Sequence, residues 1–354
     1  MILVINPWST SIKMSLFRGE EEFSKKTLHI EEIVQQNFLS SLETEEKIEK
    51  IIIRIVHGGD FYAHPVEIDD EVLHNLQSIS FLAPLHNPLA LKILDGLRAQ
   101  TKVPLIAVFD TAFHTTIPAY ASVFPLPKEI TEKNHIKKYW FHGISHGYVS
   151  EVLTARGYSK IISLHLGGWS SICAIKHGKS MDTSMGFTPS SGLVMNTRAG
   201  DVDADVILFL LKRWYTVDEL ESMINSESWV LWISGYSRDM REIQKDAKSG
   251  DSDAQLTFNA YIYQIIKYIG SYSAVLGWID AISFTGWIGE GSLEVKWAIC
   301  DRLHHIGIIL DTQYFVDGLN YSEPTKISTK DSKIDVWITP ANENLAMIRA
   351  TKNK

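Results

Sequence analysis

The sequence is short of cysteine, of positive charge and of long uncharged apolar runs, and each shortage removes a class of answers. Cys173 and Cys300 are its 2 cysteines in 354 residues. Two thiols build neither a disulfide framework nor a four-thiolate zinc site; both lie in apolar stretches and are expected as buried free thiols. Lys and Arg number 34 against 42 Asp and Glu, a formal charge of -8. No basic surplus exists to neutralise a nucleic-acid backbone. One stretch resembles a membrane span: Tyr268–Ile288 carries Asp280 as its only charge. Its serines and glycines, and the change to β-type residues at Ile279–Phe284, predict a buried helix followed by a buried strand. The opening MILVINPWSTSIKMSLF has no charged leader before an apolar block and no cleavage site, so it is expected to be strand and turn of the fold. Together these absences lead to the expectation of a cytoplasmic protein that binds neither nucleic acid nor membrane.

What is present is ordinary globular material, 45% hydrophobic and 21% charged, in a chain too long for one usual core, so two domains are expected. Met1–Asn6 predicts a strand, Pro7–Ser11 a turn bearing hydroxyls, and Ile12–Phe17 a second strand. Glu31–Ile51 reads as helical, Ile51–Val56 as an apolar strand running into His57-Gly58-Gly59, and Ile68–Leu82 and Leu89–Arg98 as helices. Pro104–Phe109 is a buried strand that ends on Asp110. The second half opens with the same grammar: strand Lys160–His165, a glycine and serine turn, strand Ser171–Ile175. Helices follow at Val202–Trp214, Thr216–Ile224 and Ser252–Leu276, then strand Ala281–Phe284 ahead of Thr285–Gly291. Helix Leu293–Ile306, strand Val336–Thr339 and helix Asn342–Thr351, with Asn342 as N-cap, complete the chain. With no long linker, the break is expected near His114–Pro118. The first lobe is then 1–114 completed by 341–354, and the second 115–340.

Ten strings stand in order: NPWSTSIK, VHGGDFY, APLHNP, VFDTAFH, FHGISH, LHLGGWSS, DTSMGFTPSSGLVMNTRAGDVD, SRDMRE, FTGWIGEGS and TPANEN. One glycine-rich turn says little. All ten in register are specific, and through them the chain resembles the acetate kinase family over nearly its whole length, as a member shortened by some tens of residues between the first hairpin and Arg54. NP-STSIK and LGG- also echo the butyrate kinases. The resemblance implies an α/β chain of the duplicated actin-like ATPase (ribonuclease H-like) fold, two lobes around a central cleft. It implies reversible transfer of the γ-phosphate of ATP to acetate, dependent on Mg2+ or Mn2+, in a homodimer joined through the second lobe. Propionate and butyrate kinases are the neighbouring alternatives.

Phosphoryl transfer needs positioning and cations around negative oxygens. Arg54 and Arg198 are the natural candidates, because a guanidinium fork holds carboxylate or phosphate bidentately. By resemblance Arg54 binds the carboxylate and Arg198 stabilises the transition state. Asp110 matches the aspartate given an acid/base or orienting role; a carboxylate substrate is already ionised, so orienting suits it better. His142 matches the histidine that donates to the phosphoryl group, with His146 one helical turn on as support. No third ligand makes those two histidines a metal pair. His86 and His165 match loop histidines near the site, a purely structural role remaining open.

The resemblance further assigns Asn6, Ser9, Ser11 and Lys13 to the first phosphate hairpin, with Asn6 and Glu343 toward the metal. Glu343 at a helix start is also a simple capping charge. His165, Leu166, Gly167, Gly168 and Trp169 form the second phosphate loop. Asp239, Met240 and Arg241 lie on the adenosine side, and Trp287, Ile288, Gly289, Glu290 and Gly291 form the last glycine turn. Val56, Leu85, Phe141 and Pro189 line the methyl pocket. Valine at 56 favours acetate, although one methylene changes discrimination by only about 1–3 kcal/mol.

Tryptophan stands where the family normally has glycine at Trp8, Trp140, Trp169, Trp229, Trp232, Trp278 and Trp287. Three of these, Trp8, Trp169 and Trp287, fall in the phosphate or nucleotide turns, where glycine allows φ > 0 and close approach of backbone N–H groups. A left-handed non-glycine residue costs roughly 1–2 kcal/mol. Gly291 also replaces the usual asparagine of the last turn. Taken together, these departures predict an impaired kinase, the alternative being a catalytically dead member that binds a metabolite or a partner.

Overall fold

The computed structural model describes residues 1–7, 12–34, 38–39, 42, 46–84, 86–226, 230–314, 316, 319 and 321–352. The chain divides into two compact units. The first holds Met1–Thr115, Phe141–Tyr148 and Asn342–Lys354; the second holds Thr116–Trp140 and Val149–Ala341. The Phe141–Tyr148 segment, read from sequence as part of 115–340, therefore belongs to the first unit. Its anchor is Ile144, buried in one cluster with Ile2, Val4, Phe17, Ile52, Val108, Met347 and Ile348.

The first unit is built on β1 (Ile2–Pro7), β2 (Ile12–Arg18), β3 (Glu21–Leu28), β4 (Lys50–Ile55), β5 (Val66–Glu67) and β6 (Leu105–Phe109). They lie in the order β3-β2-β1-β4-β6-β5. β1 runs antiparallel to β2 and parallel to β4, and β4 runs parallel to β6. Every residue of β1, and all of β4 after Lys50, is buried. A strand covered on both faces reads as a continuous apolar run, as ILVINP and KIIIRI do. The polar residues in these runs, Asn6 and Arg54, are thus carried into the interior. The region 31–51 differs from its helical reading. Among its described residues α-helix occupies only Ile30–Val34, 46–49 are not helical, and β4 begins at Lys50.

The second unit repeats the plan with β7 (Lys160–His165), β8 (Ser171–Lys176), β9 (Lys179–Thr183), β10 (Ala281–Thr285), β11 (Thr325–Lys326) and β12 (Asp335–Ile338). Their order is β11-β12-β10-β7-β8-β9. The helix Ser252–Leu276 packs Tyr261, Ile262, Ile265 and Ile269 into a core shared with Ile172 and Ala174 of β8. Asp251 caps its start by accepting from Ala254 N, and Gly277 ends it in the left-handed region at φ 69°. The membrane-like stretch is accordingly the end of this helix followed by β10, which is buried throughout. Among the described residues no helix is long and apolar enough to cross a membrane. Cys173 and Cys300 are both buried and free.

Candidate active site

In the first unit the site begins at the ends of buried strands. β1 delivers Asn6, β4 delivers Arg54, and Asp110 follows β6; their exposures are 2%, 3% and 1%. Arg54 Nε donates to Asp110 Oδ2 at 3.1 Å, and Nη2 donates to the same oxygen. Nη1 donates to the Pro7 carbonyl at 2.9 Å and faces Asn6 Oδ1 at 3.5 Å. Asn6 Nδ2 in turn donates to Glu343 Oε2 at 2.9 Å. Burial works against the Arg54 charge, but the Asp110 and Glu343 carboxylates outweigh it and hold the guanidinium above its ordinary value. Glu343 opens the helix Glu343–Ala350, whose Asn342 N-cap accepts from Leu345 N. One fixed cation is thus surrounded by two carboxylates and an amide drawn from three other stretches of chain.

His142 is set beside this cluster by the backbone. Gly143 N donates to the Asp110 carbonyl at 2.8 Å. A Cβ at position 143 would lie 2.1 Å from that carbonyl oxygen, so only glycine allows the approach. The turn leaves His142 buried with φ 59°, and the His142 carbonyl accepts from His146 N at 2.9 Å, opening the helix Gly143–Thr154. Behind it, His114 Nε2 lies 3.0 Å from the Phe141 carbonyl, and burial lowers its imidazole to about 4 against the pull of that acceptor. His114 is therefore a neutral donor that fixes the Phe141–His142 backbone. Val56 and Phe141 are buried, and the Phe141 ring meets His57 edge-on at 5.7 Å.

In the second unit two turns are zipped together. Leu166 N donates to the Thr285 carbonyl at 2.9 Å, and the Leu166 carbonyl accepts from Ile288 N at 2.9 Å and Gly289 N at 3.2 Å. Gly286 at φ 77° makes this possible, since a Cβ there would meet the Leu166 carbonyl oxygen at 2.6 Å. The last glycine turn read from sequence, 287–291, lies within a short helix Gly286–Gly291. Its two ends are tied by opposite charges. Glu290 Oε1 accepts from Gly286 N at 2.8 Å and Ala341 N at 2.9 Å, while fully buried Lys296 donates to the carbonyls of Gly289 at 3.3 Å and Glu290 at 2.6 Å. Burial lowers the Lys296 ammonium to about 8 although Glu290 and Glu294 favour its charge.

Arg198 is the counterpart of Arg54 and is held differently. It is 4% exposed, donates from Nη1 to the Pro189 carbonyl at 3.2 Å, and stacks over the Trp169 indole at 3.9 Å from the ring centroid. Among the described residues no carboxylate forms an ion pair with it. Burial accordingly lowers this guanidinium to about 10. A buried cation lacking an anion is an anion-binding feature, because the missing charge is the one a ligand brings. Asp239 caps the helix Met240–Lys248 and binds Arg241 through N at 2.9 Å and Nε at 3.0 Å; that guanidinium lies 5.7 Å from the Trp287 ring. Met240 is buried in the core of the second unit.

Of the sequence-derived residues, Asn6, Arg54, Val56, Asp110, Phe141, His142 and Glu343 come together in the first unit. His165 to Trp169, Pro189, Arg198, Asp239 to Arg241 and Trp287 to Gly291 lie in the second. Lys13 is exposed on β2, paired in register with Asn6. Ser9, Ser11, Leu85, Trp8 and Trp229 lie outside the described residues, as does the Trp232 side chain. The left-handed strain expected at Trp169 and Trp287 is absent, for neither has positive φ; Trp140 and Trp278 do, at 60° and 138°. Three contributors escaped the sequence reading. Asn87 clasps the His57 backbone, accepting from its N at 3.3 Å and donating to its carbonyl at 3.0 Å. Lys296 and the Trp169–Arg198 stack were the others. The string APLHNP contained Asn87, but nothing local marks a partner 30 residues away.

A family model described as the Acetokinase family matches residues 30–349. An acetate kinase from Clostridium botulinum (strain Loch Maree / Type A3) is 45% identical over 306 residues, which is 84% of this chain and 76% of that protein. The crystal structure of Porphyromonas gingivalis acetate kinase is similar with a TM-score of 0.89 at 32% identity, covering 99% of this chain and 98% of that one. A propionate kinase from Francisella tularensis subsp. tularensis SCHU S4 is similar with a TM-score of 0.89 at 33% identity, covering 99% of both.

Proposed function

This chain belongs to the acetokinase family, and we propose that as an acetate kinase it receives the carboxylate in its first unit and presents the nucleotide phosphates from its second. It is a phosphotransferase with a carboxylate acceptor, on the actin-like ATPase type of fold. A carboxylate oxygen of acetate attacks the γ-phosphorus of ATP, the bond to the bridging oxygen breaks, and ADP leaves with the electron pair. Acetate is already ionised, so no proton must be removed. Asp110 then acts by holding Arg54, whose fixed positive charge draws the acetate carboxylate into the first unit. His142 donates to an equatorial oxygen. Arg198 meets the charge that spreads over the transferring group. The observation that carries this reading is the burial of Arg198 with no carboxylate partner among the described residues.

The donor set around Asn6 suits a magnesium ion bound through its waters. Glu343 offers a single carboxylate beside a neutral amide, the modest supply magnesium takes alongside substrate phosphates. No group of three or more His, Cys, Asp or Glu among the described residues could enclose a metal by itself. When bound, the ion would neutralise phosphate charge; Asn6 and Glu343 would orient its waters.

A homodimer and a cytoplasmic setting belong to the same reading. The helix Ala204–Leu211, ADVILFLL, buries none of its residues, leaving Val206, Leu208 and Phe209 exposed at 46%, 51% and 54%. Apolar surface of that kind is ordinarily covered by a partner. Two buried free thiols suit a reducing compartment.

The test is formation of acyl phosphate from ATP and acids of increasing length. Acetate should react best, and Val56→Ala should narrow its advantage over propionate. Absence of acyl phosphate with every short carboxylate, in a chain that still binds ATP, would overturn the reading.

A further inference from the structure

Six non-glycine residues among those described have φ in the left-handed half of the map: His135, Trp140, His142, His177, Trp214 and Trp278. Histidine is among the types enriched there; a bulky side chain is an outlier. Tryptophan nevertheless supplies half of the six, although it is 10 of 354 residues. Each of the three stands at a glycine's place. Trp214, at φ 72°, closes the chain just after the helix Ala204–Leu211, with its N donating to the Leu211 carbonyl at 3.3 Å. Trp278, at φ 138°, follows Gly277 at φ 69°, so two successive residues leave the helix Ser252–Leu276 in conformations that L side chains avoid. Trp140, at φ 60°, turns the chain into Phe141–His142 and is 5% exposed.

Two further indoles fill the turns assigned to nucleotide. The Trp287 ring presses on Gly167, where an added Cβ would lie 3.2 Å from its Cδ1. The Trp169 ring covers a face of Arg198 at 3.9 Å. The first crowds the backbone of a glycine turn, where a phosphate needs to approach, and the second covers the cation that would meet it.

We propose that positions 140, 169, 214, 278 and 287 are glycine in the enzyme as its own cell makes it, the codons there being read as glycine rather than tryptophan. Codons of these two residues differ at the first base, and UGA is assigned to tryptophan in some genetic codes and to glycine in others. Glycine at 140, 214 and 278 removes the unfavourable φ values. Glycine at 169 and 287 clears the 166–169 turn and uncovers Arg198; this last consequence rests on the acetate kinase reading, whereas the φ argument does not.

Peptide masses from the protein isolated from the organism that encodes it decide the matter. Peptides spanning these five positions should each be lighter by the difference between an indolylmethyl group and a hydrogen. Trp337, packed edge-on against Tyr158 at 5.9 Å and under Arg156 at 5.4 Å, should remain tryptophan. Tryptophan at 140, 214 and 278 would overturn the proposal, and so would glycine at 337, where nothing in the surroundings asks for it. A second measurement compares two recombinant chains, one with tryptophan and one with glycine at all five positions. The glycine chain should melt higher, and should bind Mg-ATP about tenfold tighter or better; equal melting and equal affinity would contradict the proposal. Failure of only the tryptophan chain to fold supports it, failure of only the glycine chain refutes it. Should neither chain bind ATP while the native peptides carry glycine, the nucleotide reading fails and the glycine assignment stands.

Discussion

The two units share a strand order and differ in how each treats its buried arginine. In the first, Arg54 rests on Asp110 with Glu343 nearby and is held above its ordinary pKa. In the second, Arg198 has a carbonyl and an indole face, and burial lowers it to about 10. A guanidinium already neutralised by protein can position a ligand at little electrostatic cost. One left unneutralised is stabilised most when negative charge arrives. On the proposed reading, the contrast separates a binding arginine from one tuned to charge that develops during the reaction.

The largest expected effect is on rate. Arg198→Ala should lower kcat by about a thousandfold or more, in line with arginines that meet a transferring phosphoryl group. Its urea midpoint should barely move, because no protein carboxylate loses a partner. A large fall in stability would show that Arg198 is structural and erase the contrast.

Arg54 should behave oppositely. Arg54→Met strands Asp110 as a buried unpaired charge and should cost about 3–5 kcal/mol of stability, measured by urea unfolding. The double change Arg54→Met with Asp110→Leu should recover much of that while remaining inactive. If the double variant is no more stable than the single one, the pair is not what holds this corner.

His114 sharpens the comparison through pH. Its folded value of about 4 lies below the ordinary 6.5, so the unfolded chain binds the extra proton first. The stability it contributes is complete above about 6.5 and is lost as pH falls toward 4, amounting to about 3 kcal/mol across that window. His114→Gln should flatten this part of the stability profile; an unchanged acid limb would contradict the assignment.

Lys296 carries the smallest effect. Lys296→Met should raise the KM for ATP by about three- to tenfold with little change in kcat, by loosening the Gly286–Gly291 helix. Because its ammonium titrates near 8, the normal enzyme should show a rising KM for ATP above that pH, and Lys296→Arg should remove the rise. A kcat loss with unchanged KM would mean that Lys296 does not act through the nucleotide turn.

Much of this architecture was legible along the chain. The Ser252–Leu276 helix was read at its observed ends because an aspartate cap and a terminal glycine bracket its apolar period. β1, β4 and β7 announced themselves as continuous apolar runs. β3 did not: EEFSKKTL is mostly exposed at a sheet edge, and such strands carry charge in place of a core face. The charged residues 46–49 likewise imitated helix without forming it. The resemblance supplied the individual site residues, yet their partners were invisible. Asn6 and Glu343 are 337 positions apart, and placement of His142 with the first unit depends on the contact of Gly143 with the Asp110 carbonyl. Conformation also refined chemistry. The φ values place the backbone demand for glycine at Trp140, Trp214 and Trp278, whereas at Trp169 and Trp287 the demand comes from what the indoles cover.

The central claim, that Arg198 serves the reaction and not the fold, is tested most directly by chemical rescue of Arg198→Ala. Millimolar guanidinium should restore a saturable part of acetyl phosphate formation in that variant and leave the parent enzyme unaffected. Normal turnover by the variant without guanidinium would contradict the claim, as would rescue matched by sodium at equal ionic strength.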